Sequence, residues 1–157
     1  MNEKFVYAGS DEFDNNHDHT LVMTCSDPRF FAHTLDFLNN HLNLHKFDSL
    51  IMPGGPAAVC LSSSCFFVIR PQIKLLHGLH NFKTIIGFAH EDCGYYGLKY
   101  PQLKSNQKAT REKQTTDLVE FLGEMKKYAP DARVECYYMR LGEANKVNQR
   151  VEFVLIE

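Results

Sequence analysis

Short apolar runs alternate along the chain with stretches in which apolar residues recur at helical spacing. The apolar runs predict five strands, at residues 20–24, 47–52, 83–89, 133–139 and 151–156. A run that is apolar almost throughout is typical of a strand buried on both faces of a sheet. The pattern therefore predicts a sheet whose inner strands are covered on both sides.

Helices are predicted between these strands. After the first strand, Asp27 is positioned to cap a helix whose first residue is Pro28, because Asp accepts hydrogen bonds from free amide groups and Pro has a preset helical φ. A second helical stretch covers residues 62–80. We expect Pro71 to break or restart that helix, since its ring removes a backbone donor and clashes with the preceding turn.

A third helix is predicted over residues 108–128, after a polar loop that extends through Ser105. The alternating order predicts an α/β fold with a mostly parallel central sheet of about five strands flanked by helices, because parallel neighbours need a crossover. The last strand could be antiparallel, since no helical pattern precedes it. We expect an amino-terminal arm at residues 1–18 and a single α/β domain at residues 19–157.

Composition narrows the class of protein. The chain has 157 residues and 44% hydrophobic content, which suits one domain with a sizeable core. Its 17 Lys and Arg against 19 Asp and Glu leave a net charge of -2, which argues against a nucleic-acid partner. No apolar stretch reaches the ~20 residues needed to span a membrane, and the first residues lack the apolar core of a signal peptide. We therefore expect a cytoplasmic protein without membrane contact.

Cysteine and histidine supply the candidate chemistry. The five cysteines are an odd number, so some thiols are expected to be free or metal-bound. Cys25 lies at the carboxyl end of the first predicted strand, and His90 and Cys93 lie at the carboxyl end of the third. Open α/β sheets bind their ligands at that edge. Two thiolates and one imidazole suit zinc, and three protein ligands leave one position open for water or substrate.

Each of these residues also has an ordinary structural interpretation. A cysteine is commonly a small buried hydrophobe, and a histidine after a strand is commonly a loop residue. Their joint placement at two strand ends favours a metal site. Asp27 and Arg29, two and four residues after Cys25, strengthen that prediction.

Two short motifs carry a family resemblance. Residues 25–29, Cys-Ser-Asp-Pro-Arg, resemble the Cys-x-Asp-x-Arg motif of β-class carbonic anhydrases, and residues 90–94, His-Glu-Asp-Cys-Gly, resemble their His-x-x-Cys-Gly motif. The two motifs occur in the family's order. The turn after the second strand departs from the family pattern, because Pro53, Gly54 and Gly55 stand where an Arg-Asn-Ala-Gly type of sequence is usual.

The resemblance implies a set of roles. Cys25, His90 and Cys93 would bind Zn²⁺, and Asp27 and Arg29 would form a dyad beside it. The implied activity is carbonate dehydratase (carbonic anhydrase): reversible hydration of carbon dioxide to bicarbonate by a zinc-bound hydroxide, which Asp27 would orient while Arg29 keeps it ionised. The implied assembly is a homodimer or a higher homo-oligomer.

Three alternatives remain open from the sequence. The same centre could act on another small electrophile, such as carbonyl sulfide or carbon disulfide. Asp27 could instead be a fourth zinc ligand, which would make the chain a non-catalytic, zinc-stabilised module. A nucleophilic Cys25 is less favoured, because the chain has no Cys-x-x-Cys pair and the Cys25 to Arg29 spacing is too short for a Cys-x5-Arg phosphate loop.

Overall fold

A computed structural model of the protein describes residues 4, 6–10, 13–142 and 150–156. Parts of the predicted arm, residues 1–3, 5, 11 and 12, therefore lie outside the described residues, as do residues 143–149 and 157. The elements are β1 (Thr20–Cys25), α1 (Pro28–Asp36), β2 (Asp48–Met52), α2 (Phe66–His80), β3 (Thr84–His90), α3 (Gly94–Lys99), α4 (Gln107–Tyr128), β4 (Arg133–Leu141) and β5 (Val151–Ile156).

The five strands form one sheet in the order β2-β1-β3-β4-β5. The pairs β1 with β2, β1 with β3 and β3 with β4 are parallel, whereas β4 and β5 are antiparallel. The predicted fold class is confirmed, including the antiparallel last strand. Because β1 and β3 are parallel neighbours, their carboxyl ends lie side by side at one edge of the sheet.

Helices cover both faces of the sheet. One face packs a core that includes Leu21, Ile85 and Phe121 against α2 and α4. The other face packs Phe30 of α1 with Phe88 and their neighbours. Every residue of β1 is buried, as are the last six of β3, which is why both strands are apolar along nearly their whole length.

Two local predictions were wrong. Pro71 lies inside α2 without ending it, because Pro71 and Phe67 are exposed and water can hydrate the Phe67 carbonyl that loses its helical partner. The predicted polar loop through Ser105 contains α3 and a short 3₁₀ turn at Pro101–Leu103. A six-residue helix is too short for periodicity to reveal. Within the described residues, no helix has the length and apolar character needed to cross a membrane.

Candidate metal centre

Three side chains meet where β1 and β3 end. Cys25 is the last residue of β1, His90 is the last residue of β3, and Cys93 immediately precedes α3. Their ligand atoms all lie within 4.8 Å of one another, and the two Sγ atoms are 3.8 Å apart. All three residues are buried. The structure therefore brings together the three residues that the sequence predicted as ligands.

The donor set fits a zinc ion. Two thiolates that share a tetrahedral zinc at about 2.3 Å lie about 3.8 Å apart, which is the separation between Cys25 and Cys93. His90 donates from Nδ1 to the Glu91 carbonyl at 2.8 Å, so its Nε2 is left as the atom with a free lone pair. That Nε2 is buried and has no hydrogen-bond partner among the residues described. A bound cation would satisfy a nitrogen that is otherwise costly to bury.

The two thiols differ in acidity. The Cys93 thiol donates a hydrogen bond that lowers the pKa of Cys25 well below its usual range despite its burial, and His90 lowers it further. The same hydrogen bond, together with burial, raises the pKa of Cys93. The backbone N–H of Gly54 also donates to Cys25 Sγ at 3.4 Å. The pair therefore readily provides one thiolate, which is the form that binds metal.

The turn after β2 packs directly against the centre. Gly54 and Gly55 both have left-handed φ angles, of 78° and 52°. A Cβ atom on Gly55 would lie 2.9 Å from the backbone nitrogen of Cys25, and one on Gly54 would lie 2.5 Å from the Tyr95 ring. Sequence reasoning identified the glycines as turn residues but missed this contact. The signal was the Gly-Gly pair itself, since left-handed φ and close approach both require glycine.

Asp27 and Arg29 form the predicted pair at the start of α1. Asp27 caps the helix, because its Oδ1 accepts from the Arg29 backbone N–H at 3.0 Å. The Arg29 guanidinium also donates to both oxygens of that carboxylate, at 3.1 Å to Oδ1 and 2.7 Å to Oδ2. These hydrogen bonds from Arg29 hold the pKa of Asp27 below its usual range.

Asp92 is a second partner of Arg29 that sequence reasoning missed. Arg29 Nη1 donates to Asp92 Oδ2 at 2.9 Å, and Nη2 donates to the Asp92 backbone oxygen at 3.2 Å. Arg29 thereby links the loop between His90 and Cys93 to the start of α1. Asp92 has a φ of 55°, a conformation that Asp adopts more readily than most residues.

Among the residues that the structure describes, the converging ligand atoms belong to Cys25, His90 and Cys93, and Asp27 is not part of the group. Its carboxylate is instead engaged by Arg29. This arrangement favours the interpretation in which Asp27 stands beside the centre over the one in which it is a fourth ligand.

Neighbouring residues fix the His90 ring and its strand. The Phe30 ring stacks on His90 with centroids 4.2 Å apart, and Gln114 Nε2 donates to the His90 backbone oxygen at 2.8 Å. Beside Cys93 lies a cleft of about 640 Å³, which Leu98 and Tyr138 also line. Small molecules can therefore approach the loop that carries the candidate ligands.

A separate group of potential ligands already has partners within the protein. Cys60, Asp117 and Glu120 also lie within 4.8 Å of one another. However, Asp117 accepts from Tyr96 and is paired with Lys113, and Glu120 accepts from a backbone N–H. Burial raises the pKa of Cys60, so its thiol is neutral. These contacts favour a structural role for the group.

Sequence comparison finds relatives of this chain in Rickettsia. An uncharacterized protein from Rickettsia conorii is 30% identical in an alignment 133 residues long, which covers 80% of this chain and 69% of that protein. This chain belongs to the same family. An uncharacterized protein from Rickettsia bellii also belongs, at 30% identity over 133 residues and 79% of its length. No family model matches the chain.

Structural comparison identifies the fold of this family member. A carbonic anhydrase from Glaciozyma antarctica is 16% identical, with a TM-score of 0.54 over 88% of this chain and 82% of that one. A carbonic anhydrase from Streptococcus mutans is 13% identical, with a TM-score of 0.54 over 91% and 87%. A tetrameric β-carbonic anhydrase from Sordaria macrospora is 11% identical, with a TM-score of 0.53 over 87% and 82%. The fold is that of β-carbonic anhydrases.

Proposed function

We propose that the chain is a zinc-dependent carbonate dehydratase that reversibly hydrates carbon dioxide to bicarbonate. The observation that carries this proposal is the convergence of Cys25, His90 and Cys93 beside a carboxylate held by Arg29. Within the described part of the chain, the buried Nε2 of His90 has no hydrogen-bond partner. The shared fold and the two sequence motifs support the same activity.

In this proposal, Cys25, His90 and Cys93 hold the ion. A bound zinc ion makes water a usable nucleophile near neutral pH. The protein orients the His90 imidazole for metal binding, because the Glu91 carbonyl accepts from Nδ1 and the Phe30 ring stacks on it. Burial of all three side chains excludes competing water from the ligand atoms.

Asp27 would position the water that reacts. An ionised carboxylate accepts hydrogen bonds and cannot donate them, so it can orient a reacting water through the water's proton. Arg29 keeps Asp27 ionised and fixes its direction through two parallel hydrogen bonds. Asp92 in turn fixes Arg29, so the carboxylate has little freedom to turn towards the metal and close the site.

We further propose that the chain forms a homodimer or a higher homo-oligomer. The tetrameric state of the Sordaria macrospora enzymes supports self-association in this fold. Exposed apolar side chains at helical spacing on α2, namely Val68, Leu75 and Leu79, agree with it, since an apolar stripe is often covered in an assembly. Sedimentation velocity of the purified chain tests this proposal, and a monomer at all concentrations would contradict it.

A carbon dioxide hydration assay tests the activity. We expect the zinc-loaded wild type to accelerate hydration and the Asp27→Asn variant to lose about 10²-fold, because a positioned proton acceptor contributes at least that much. Cys65→Ser is the matched control, since Cys65 is an exposed thiol away from the centre and its loss should change nothing. A wild type that carries a full complement of zinc but hydrates no carbon dioxide between pH 6 and about 9 would refute the proposal.

A further inference from the structure

Three histidines meet at the opposite end of the sheet from the candidate metal centre. His17 and His19 precede β1, and His80 is the last residue of α2. The six residues of β1 separate this cluster from Cys25 by about 17 Å. The two sites are therefore independent in space.

The segment that carries His17 and His19 is anchored by Asp18. The Asp18 backbone N–H donates to the Lys46 carbonyl at 2.7 Å. The Asp18 carboxylate accepts from the backbone N–H groups of His45 and Lys46, each at 2.7 Å. These bonds fix the backbone on which the two histidines sit.

The three rings are in direct contact, with His17 in the middle. The centroids of His17 and His19 are 4.2 Å apart, and those of His17 and His80 are 5.0 Å apart. Imidazoles that share one tetrahedral zinc ion at about 2.0 Å have centroids about 5 Å apart. The spacing of the rings is therefore close to that of a shared ion.

Two of the rings already have a hydrogen-bond partner at Nδ1. His80 donates from Nδ1 to the Asp48 carboxylate at 2.7 Å, and His19 donates from Nδ1 to the His80 carbonyl at 2.7 Å. In a neutral ring each of these bonds puts the lone pair on Nε2, and neither Nε2 has a hydrogen-bond partner in the part of the chain that is described. A carboxylate or a carbonyl behind the imidazole is the usual support of a metal-binding histidine.

The surroundings also favour a cation. His80 lies in the last turn of α2, where the helix dipole is negative, and Asp48 adds a carboxylate. The ligand atoms of the cluster do not all lie within 4.8 Å of one another, so His17 must turn its ring to complete the set. His17 is exposed, and its contact with the His19 backbone N–H is long, at 3.4 Å, so that rotation costs little.

We propose that His17, His19 and His80, supported by Asp48, form a second metal site for a borderline divalent cation such as Zn²⁺. Imidazole nitrogen is a ligand that zinc accepts readily, and three such ligands leave one position for water. Occupation of this site links the segment before β1 to the end of α2. The site does not depend on the proposed enzymatic function.

Calorimetric titration of the zinc-loaded chain with Zn²⁺ tests this proposal. We expect about one further ion per chain, with binding weakened at least 10-fold in both His19→Gln and His80→Gln. Asp48→Asn, which removes no ligand, should also weaken binding by about 10-fold because it releases His80. Thermal unfolding of each variant checks that the fold is intact.

Two controls separate the sites. His33→Gln removes an exposed histidine of α1 that is not in the cluster, so it should bind the further ion as the wild type does. Cys93→Ser should lose the ion at the first centre and keep the one at the histidine cluster. The proposal is overturned if no further ion binds up to about 1 mM Zn²⁺, or if binding is unchanged in both His19→Gln and His80→Gln.

Discussion

At the scale of single residues, Asp27 combines two tasks. It caps α1 through its contact with the Arg29 backbone, and it presents a carboxylate held by the Arg29 side chain. The two roles need different chemistry, since a helix cap needs an oxygen acceptor and the ion pair with Arg29 needs a negative charge. Substitutions can therefore separate them.

Asp27→Ala should lower the free energy of unfolding by about 1 kcal/mol, because alanine cannot cap. Asp27→Asn should cost less at neutral pH, since asparagine caps nearly as well and loses only an ion pair whose Arg29 side is exposed to water. Both variants should lose hydration activity to a similar extent. Urea unfolding and the hydration assay measure the two effects, and an active Asp27→Asn variant would leave Asp27 as a cap alone.

The same pair predicts a pH dependence of stability. Hydrogen bonds from Arg29 lower the pKa of the folded Asp27 below that of a free aspartate, so the ion pair stabilises the fold above about pH 4. That contribution fades as the pH falls through the lowered pKa. The difference in unfolding free energy between wild type and Asp27→Asn should therefore shrink in acid. A difference that grows in acid would contradict the assigned ion pair.

Sequence patterns could predict some of these residues and not others. The sequence predicts Cys25, His90 and Cys93 as ligands because apolar runs locate the strand ends where they lie. Asp92 was not, because its contact with Arg29 spans 63 positions and depends on how the two loops pack. Contacts of that kind become visible only when β1 and β3 are known to be neighbours.

At the scale of elements, the turn after β2 packs against the candidate metal centre. Its glycines let the backbone approach Cys25 closely enough for the Gly54 N–H to reach the sulfur. The family resemblance would place polar side chains at this turn. In this chain the backbone itself supplies the contact.

Gly55→Ala should destabilise the protein by about 2 kcal/mol or more and weaken metal binding. The new methyl group would meet the backbone of Thr24 and Cys25, and the φ of 52° is unfavourable for alanine. Gly123→Ala is the matched control, because nothing lies near its Cβ position in α4, and it should stabilise by about 0.5–1 kcal/mol. Urea unfolding with metal analysis measures both; a tolerated Gly55→Ala would refute the close approach.

The elements themselves were largely predictable, for physical reasons. β1 and β3 are buried on both faces, so burial forces an apolar run that periodicity can detect. The start of α1 was predicted from Asp27 and Pro28, since caps are local signals. The course of α2 through Pro71 was not predictable, because the cost of a helical proline depends on whether water can reach the freed carbonyl.

At the scale of the whole molecule, alternation of strands and helices predicted the fold class but not the strand order. The order β2-β1-β3-β4-β5 depends on which apolar faces pack together, and it determines that Cys25 and His90 end side by side. The same sheet separates two clusters with different chemistry. Two cysteines and one histidine lie at the carboxyl end of β1, and three histidines lie at its amino end.

Metal analysis of the purified chain tests the central claim most directly. We expect the wild type to carry one more zinc ion per chain than Cys93→Ser, because Cys93 is one of the three proposed ligands of the first centre. Cys65→Ser should match the wild type, since it removes an exposed thiol and no ligand. Zinc content that is the same in wild type and in a folded Cys93→Ser variant would contradict a metal centre at Cys25, His90 and Cys93.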